Sequence, residues 1–281
     1  MPELPGGHFK MDTKSMAASV SPRILYNQYQ GRAIEGEAFI ADHIFSYIVS
    51  GAHDVWVGDK LYSFQAGDYR FFRRNQLAKS LKKPLGEGFC SVSVHINEIT
   101  LREIGRQYDL TSKGPHLSEN VLLLKPGRYL ECYVDSLLPY VHTEHALREH
   151  IGQLKARELV LILLESNPSL ANLLFDFSEP GKIDLQGFMN KHYRYNVTLD
   201  RLAFLTGRSL SGFKRDFAKL YGLTPSRWLV RQRLLEAHYL IEKKGKRPSD
   251  IYLEIGFNDL SHFSYAYKKA FGNAPGKLGR G

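Results

Sequence analysis

The stretch Leu210-Ser211-Gly212-Phe213, followed by Phe217, Lys219, Gly222 and Pro225, returns fifty residues later as Leu260-Ser261-His262-Phe263, followed by Tyr267, Lys269, Gly272 and Pro275. One offset serves every position, so one structural unit is used twice. In each copy the two aromatic residues stand four apart and share one helical face. Ser209 caps the helix of the first copy, which runs to about Tyr221, and the helix of the second copy runs from Asp259 to Phe271, so that Gly222 and Gly272 stand just past the two helix ends. The unit predicted is a helix-turn-helix, in tandem.

Working outward, Leu199, Leu202 and Leu205 follow a Thr198 cap and predict the helix before the first turn, which Gly207 would make. Thr224-Pro225 opens a long helix to about Lys243, with proline at the first helical position. Pro248 to Ile255 repeats the role of the pre-turn helix, and Asp184 to Tyr193 adds one at the front. With Phe213 and Phe217 turned inward, Ser211, Gly212, Lys214 and Arg215 point away, and Leu210 is expected to support the aromatic couple. With Phe263 and Tyr267 inward, Ser261, His262, Ser264 and Tyr265 face out. Small polar groups at a helix N-terminus allow close approach to base edges. Arg215 suits a guanine edge and His262 a purine. Lys219, Lys268 and Lys269 suit phosphates, which set register and not sequence.

Charge follows the same division. Residues 182–281 carry 19 Lys+Arg against 8 Asp+Glu, a balance of +11, whereas residues 1–181 carry 19 against 21, a balance of −2. The whole excess of +9 is therefore confined to the repeat-bearing part, as expected of a domain that meets a polyanion, double-stranded DNA. Two amphipathic helix pairs with merely solvated outer faces are the plainer reading. Two units in register, sharing the basic charge, weigh against it.

At these residues the chain resembles the AraC/XylS family of transcription regulators. The first half of that family's DNA-binding domain is matched by Leu202-Ala203, Gly207, Ser209, Ser211, Phe213, Arg215, Phe217, Gly222 and Pro225. Its connecting helix is matched by Trp228, Leu229, Arg233, Ala237 and Leu240. Its most specific signature is matched by Gly256-Phe257-Asn258-Asp259, Ser261-His262-Phe263-Ser264, Tyr267-Lys268-Lys269, Gly272 and Pro275. The resemblance covers about Asp184 to Leu278 and brings Asn258 into the expected DNA-contacting set. It implies two reading helices in successive major grooves, about 34 Å apart on one face of the DNA, with bent DNA where straight DNA cannot satisfy both. Tyr252 departs from the family's small alanine and demands local repacking. Tyr265 departs from a frequent arginine and shifts the second unit toward phosphate or thymine methyl contacts.

The first part of the chain has another texture. Short strand-like runs from about Arg23, among them Phe39 to Val49, Asp54 to Val57, Leu61 to Phe64, Tyr69 to Phe72 and Phe89 to Ile96, are separated by turns at Gly58-Asp59-Lys60 and Gln65-Ala66-Gly67-Asp68. Such spacing predicts a small barrel or jelly roll, with Phe89 to Ile96 half-buried. The family resemblance implies a cupin-like regulatory domain. From about Ser118 the period becomes helical, through Arg128 to His142, Ala146 to Glu165 and Ala171 to Phe177. Leu147, Ile151, Leu154, Leu159, Ile162 and Leu163 are expected to form one stripe. Leu154, Glu158 and Leu161 are the residues expected to serve dimerisation.

The expected organisation is α+β and multidomain: a mobile tail over residues 1–20, a cupin-like regulatory domain over 21–178 whose helical dimerisation segment spans about 118–177, a linker over 179–183, and an all-α domain over 184–281. Met1 to Lys10 lacks the apolar core of a secretion signal, and the apolar run Leu159 to Leu164 is too short to span a bilayer. Cys90 and Cys132 form no metal-ligand spacing and read as buried thiols in a reducing cytoplasm. His43, His53 and His95 are scattered through the strands, without the paired spacing of a metal cupin. The one close group, His142, His145, Glu149 and His150, falls in the helical part and reads as a solvated or interface face. No nucleophile motif, phosphate-binding glycine loop or paired acid and base appears, so no cofactor, metal or catalytic residue is expected. The resulting expectation is a sequence-specific regulator, an activator, acting as a homodimer with RNA polymerase and answering to a small-molecule or protein effector. The alternatives are a regulator whose first domain only docks proteins or ignores signals, and a cupin-type enzyme carrying a DNA-binding module.

Overall fold

The computed structural model describes residues 22–114, 119–142 and 145–276, apart from the side chains of 141–149. The tail over residues 1–20, the side chains of His142, His145, Leu147 and Glu149, and the segment from Lys277 onward lie outside the described residues; His150 is exposed. The main division between two compact units falls between Asp176 and Phe177.

The first unit opens with β1 (Arg23–Tyr29), β2 (Ile34–Ile40), β3 (His43–Ser50), β4 (Ala52–Val57), β5 (Lys60–Gln65), β6 (Tyr69–Phe72), β7 (Gln76–Lys83) and β8 (Phe89–Ile96). Helix α1 (Glu98–Tyr108) and strand β9 (Val121–Leu124) follow, then α2 (Arg128–Leu137), α3 (His145–Ser166) and α4 (Ala171–Leu174). The strands form two sheets, one in the order β1-β8-β3-β6-β9 and one in the order β2-β7-β4-β5. Every pairing in the larger sheet is antiparallel. Between β4 and β5, Val57 pairs with Lys60, leaving a two-residue loop. Gly58 holds a φ of 59° at its first position, where hairpin turns of matching twist favour glycine.

Three expectations are corrected here. Strand β8 is buried along all eight residues and not on one face alone, because it lies between β1 and β3 in the sheet while α3 packs across it. The helical part does not begin near Ser118. Helix α1 precedes it, capped by Asn97, whose side chain accepts from Thr100 N at 2.9 Å. Val121–Leu124 is a strand, since a four-residue apolar run takes whichever period its neighbour imposes and β6 offers an open edge. Lastly, Cys90 is buried but Cys132 is exposed, because α2 turns Leu130, Tyr133, Val134 and Leu137 inward instead.

Helix α3 buries Ala156, Leu159, Val160 and Leu163 and packs on β1 and β8. Its core face is therefore not the single stripe expected. Leu159 and Leu163 belong to it, Ile151 and Ile162 are half-buried, and Leu154 stands 63% exposed. The hydroxyl of Tyr133 donates to Lys155 O at 2.8 Å and ties α2 to α3.

The second unit is helical: α5 (Leu185–His192), α6 (Leu199–Leu205), α7 (Leu210–Tyr221), α8 (Pro225–Lys244), α9 (Pro248–Ile251) and α10 (Leu260–Phe271). Residues 176–184 have no regular secondary structure. Helix α9 ends four residues before the expected Ile255 and gives way to turns. Two separate cores form. The first gathers Leu185, Met189, Leu202, Ala203, Phe213, Phe217, Trp228 and Leu229, and the second Leu234, Ala237, Ile241, Ile251, Ile255, Phe257, Phe263 and Tyr267. Helix α8 supplies residues to both, which makes it the beam between them. Tyr252 packs against the second core.

Candidate nucleic-acid interface

Each helix-turn-helix is built around its aromatic couple. Phe213 and Phe217 are fully buried, with ring centroids 5.5 Å apart, and Phe217 meets Trp228 edge-on at 5.5 Å. Phe263 and Tyr267 are likewise fully buried at 5.7 Å, and Phe257 sits against Phe263 at 5.2 Å. Burying one such ring is worth about 3 kcal/mol, so each couple fixes the rotation of its helix. The opposite face must then point outward.

The turns are held by polar contacts. In the first unit Gly207 adopts a φ of +65°, and a Cβ there would lie 2.3 Å from Gly181 O. The buried Thr206 hydroxyl donates to Leu202 O or Ala203 O, both at 2.9 Å. Arg208 Nε donates to Asp216 Oδ2 at 3.1 Å, and its Nη1 to Thr206 O at 2.6 Å and Ile183 O at 3.1 Å. The Arg208 hydrogen bond holds the Asp216 carboxyl below the usual carboxylate range. Ser209 Oγ accepts from Gly212 N at 3.2 Å and starts α7. In the second unit Gly256 turns at a φ of +91°, where a Cβ would lie 2.2 Å from Arg194 O. Asp259 Oδ1 accepts from His262 N at 2.8 Å and starts α10.

A clamp on α8 joins the units. Arg233 donates from Nε to Tyr193 O at 2.8 Å, from Nη2 to Tyr195 O at 3.0 Å and from Nη1 to Gly256 O at 2.7 Å. One guanidinium thus holds the loop after α5 and the turn of the second unit together. Burial pushes its pKa down. One turn further along α8, Glu236 accepts from Tyr193 Oη and Arg194 Nε, both at 2.8 Å.

The residues expected to contact DNA fall as follows. On α7, Ser211, Lys214, Arg215 and Lys219 are exposed and Gly212 is half-buried. The Arg215 side chain is 79% exposed, with Asp216 3.6 Å away. Ser209 is exposed at the cap, its Oγ 3.3 Å from Ser211 Oγ. On α10, Ser261, His262, Tyr265, Lys268 and Lys269 are exposed, whereas Ser264 is half-buried. The His262 ring lies 5.5 Å from Phe257, so it stands over the turn and not free in solvent. Asn258 is exposed, and its Oδ1 accepts from Asn196 Nδ2. Leu210 is exposed, not tucked beneath the aromatic couple, because the first turn of α7 projects past the core. The structural roles of Arg208, Arg233 and Glu236 were not legible in the sequence. Asp216, eight residues after Arg208, was a weak local hint, but the partners of Arg233 lie 23 to 40 residues away.

This is the architecture of a tandem helix-turn-helix DNA-binding regulator. A helix-turn-helix domain model matches residues 202–281, and the model of the ExsA N-terminal regulatory domain matches residues 43–173. Over 225 residues the chain is 30% identical to the thermoregulatory protein LcrF of Yersinia pestis, covering 76% of this chain and 80% of that protein. It is 32% identical over 225 residues, with the same coverage, to the virulence regulon transcriptional activator VirF of Yersinia enterocolitica. To the HTH-type transcriptional regulator ExsA of Pseudomonas aeruginosa it is 33% identical over 143 residues, 49% of this chain and 51% of that protein. The chain belongs to the AraC/XylS family of transcription regulators. Its kin are regulators of transcription and not enzymes.

Proposed function

We propose that α7 and α10 are the DNA-reading helices of a transcription activator whose first unit controls it. The observation that carries this is the equivalence of the two helices. Each is capped by a side chain, each buries an aromatic couple four residues apart, and each turns a polar and basic face outward. In this reading Arg215 and His262 address base edges. Lys214, Lys219, Lys268 and Lys269 address phosphates, while Ser209, Ser211, Gly212, Ser261 and Ser264 allow close approach. Tyr265 suits a thymine methyl group, and Asn258 steadies the second turn through Asn196. The strands of the first unit serve as a cupin-like regulatory fold. The exposed Leu154 and Leu161 on α3, with Glu158 paired to Lys155 at 2.7 Å, form a face for a second copy of the chain. The activator role rests on the names of the relatives, and it implies RNA polymerase as a partner in the cytoplasm. No described helix is long and apolar enough to cross a membrane.

The test is a gel shift on duplexes selected from a random library. Replacing Lys214 and Arg215 with Ala together removes two outward cations. If both neutralise phosphate, the salt slope flattens by about 1.8, and between 50 and 200 mM salt the parent's advantage shrinks roughly tenfold. Unchanged binding at matched salt would remove α7 as a reading helix.

A further inference from the structure

Among the described residues, the interior of the first unit holds cations and hydrogen-bond donors without an acid to answer them. Arg70 on β6 is buried. Its Nη2 donates to Ser46 Oγ at 3.1 Å and its Nη1 to His53 Nδ1, while its guanidinium lies 5.4 Å and 5.5 Å from the rings of Phe64 and Phe72. Because His53 Nδ1 accepts that bond, the ring's own proton is on Nε2. His53 Nε2, Arg70 Nε and the hydroxyl of Tyr29 are buried and meet no hydrogen-bond partner among the described residues.

Phe89 gathers Tyr29, His53 and Lys82. Tyr29 stacks on it at 5.3 Å, His53 meets it edge-on at 5.9 Å, and the ammonium of Lys82 lies 5.7 Å from its centroid. Neither Arg70 nor Lys82 forms an ion pair with a carboxylate of the described residues. Asp68 acts on Arg70 only from beyond ion-pair distance; its carboxylate accepts from Gln65 N instead. Burial pushes Arg70 down to about 9, and burial with the neighbouring Arg70 pushes Lys82 down to about 8. An interior that gathers like charges and leaves donors unmet is unstable by itself. A buried anion would satisfy the donors and the charge at once.

We infer that Arg70, His53, Lys82 and Tyr29 form a binding site for a small organic carboxylate. Its oxygens accept from Arg70 Nε, His53 Nε2, Tyr29 Oη and Lys82 Nζ, and its apolar body meets the rings of Phe64, Phe72 and Phe89. A carboxylate fits better than a phosphate, because the donors are few and the walls aromatic. This inference rests on the reading of the first unit as regulatory and supplies the chemical class of its effector.

The experiment measures thermal unfolding and calorimetric titration of the full chain with sodium acetate, hexanoate and benzoate, against sodium chloride and inorganic phosphate at equal ionic strength. At least one carboxylate should raise the unfolding midpoint saturably. Lys82→Met and Tyr29→Phe should weaken that carboxylate at least tenfold and threefold respectively, and Arg70→Met should abolish its effect. If Arg70→Met does not fold, the two milder variants carry the comparison. No response to any of the three carboxylates, an equal response to chloride, or undiminished binding in Lys82→Met would each overturn the site. Gel shifts on the same preparations separate the two readings. Lost DNA binding in the parent chain would sink the regulator reading, whereas intact DNA binding without any carboxylate response would sink this site alone.

Discussion

Replacing Arg233 with Met removes the clamp on α8 while keeping much of the side chain's bulk. Three hydrogen bonds to the carbonyls of Tyr193, Tyr195 and Gly256 disappear, at donor–acceptor distances of 2.8, 3.0 and 2.7 Å. A hydrogen bond from a charged donor contributes about 1.5–3 kcal/mol net. The side chain is only part-buried, so water can reach some of the freed carbonyls. Relief from burying a cation offsets a further part. The net loss is then about 3 kcal/mol, or roughly 150-fold in a local opening equilibrium. The reporters are the amides beside the clamp: Val197 N, bonded to Tyr195 O at 3.1 Å, Gly256 N, bonded to Leu253 O at 3.0 Å, and Phe257 N, bonded to Tyr252 O at 2.9 Å. Hydrogen exchange of the full chain should accelerate there by one to two orders of magnitude, while amides of α7 change little. Arg233→Lys should recover only part of the protection, since an ammonium cannot span three carbonyls fixed by a planar fork. Should these amides keep parental protection in Arg233→Met, the claim that one guanidinium couples the two helix-turn-helix units is wrong.

Three further outcomes are expected. His262→Ala should alter which base is preferred opposite α10 more than it alters total affinity, read by repeating the duplex selection; a uniform loss across sequences contradicts base readout. Leu154→Glu with Leu161→Glu should turn a dimer into a folded monomer in sedimentation, and a monomeric parent chain removes that face as an interface. The third concerns pH. Burial, with Arg23 adding repulsion, lowers His95 from 6.5 to about 3, so the folded state stays unprotonated where the unfolded chain takes up a proton. The stability His95 confers is present above about pH 6.5 and falls by about 1.4 kcal/mol per pH unit below it, down to about pH 3. Protection of β8 amides, corrected for intrinsic exchange, should drop accordingly between pH 7 and pH 5, and His95→Asn should flatten that slope; an identical slope in the variant refutes it.

The second unit was legible because its information is local. Gly207 and Gly256 mark turns, Ser209 and Asp259 cap helices, and aromatic residues four apart choose the inward face without help from distant sequence. A second copy at a constant offset repeated that evidence, which is why even the buried state of Phe213 and Phe263 could be read from a string of letters. The first unit was less legible. Its strands and hairpin turns could be located, but Val121–Leu124 has no period of its own, and the full burial of β8 depends on α3 crossing it. The face of α3 likewise depends on what packs there, so Leu154 left the stripe its spacing suggested.

Sequence alone determined that two equivalent helices exist, which aromatic couple each turns inward and that their domain carries the positive charge, because helical period, capping and charge need no partner across the fold. Only the tertiary structure decided that Arg233 joins the two helix-turn-helix units, that Tyr29, His53 and Lys82 meet around Phe89 and that Arg70 bonds to His53 beside them. Those contacts join residues that are distant in the chain, and strand register and helix packing choose them, not neighbouring residue types.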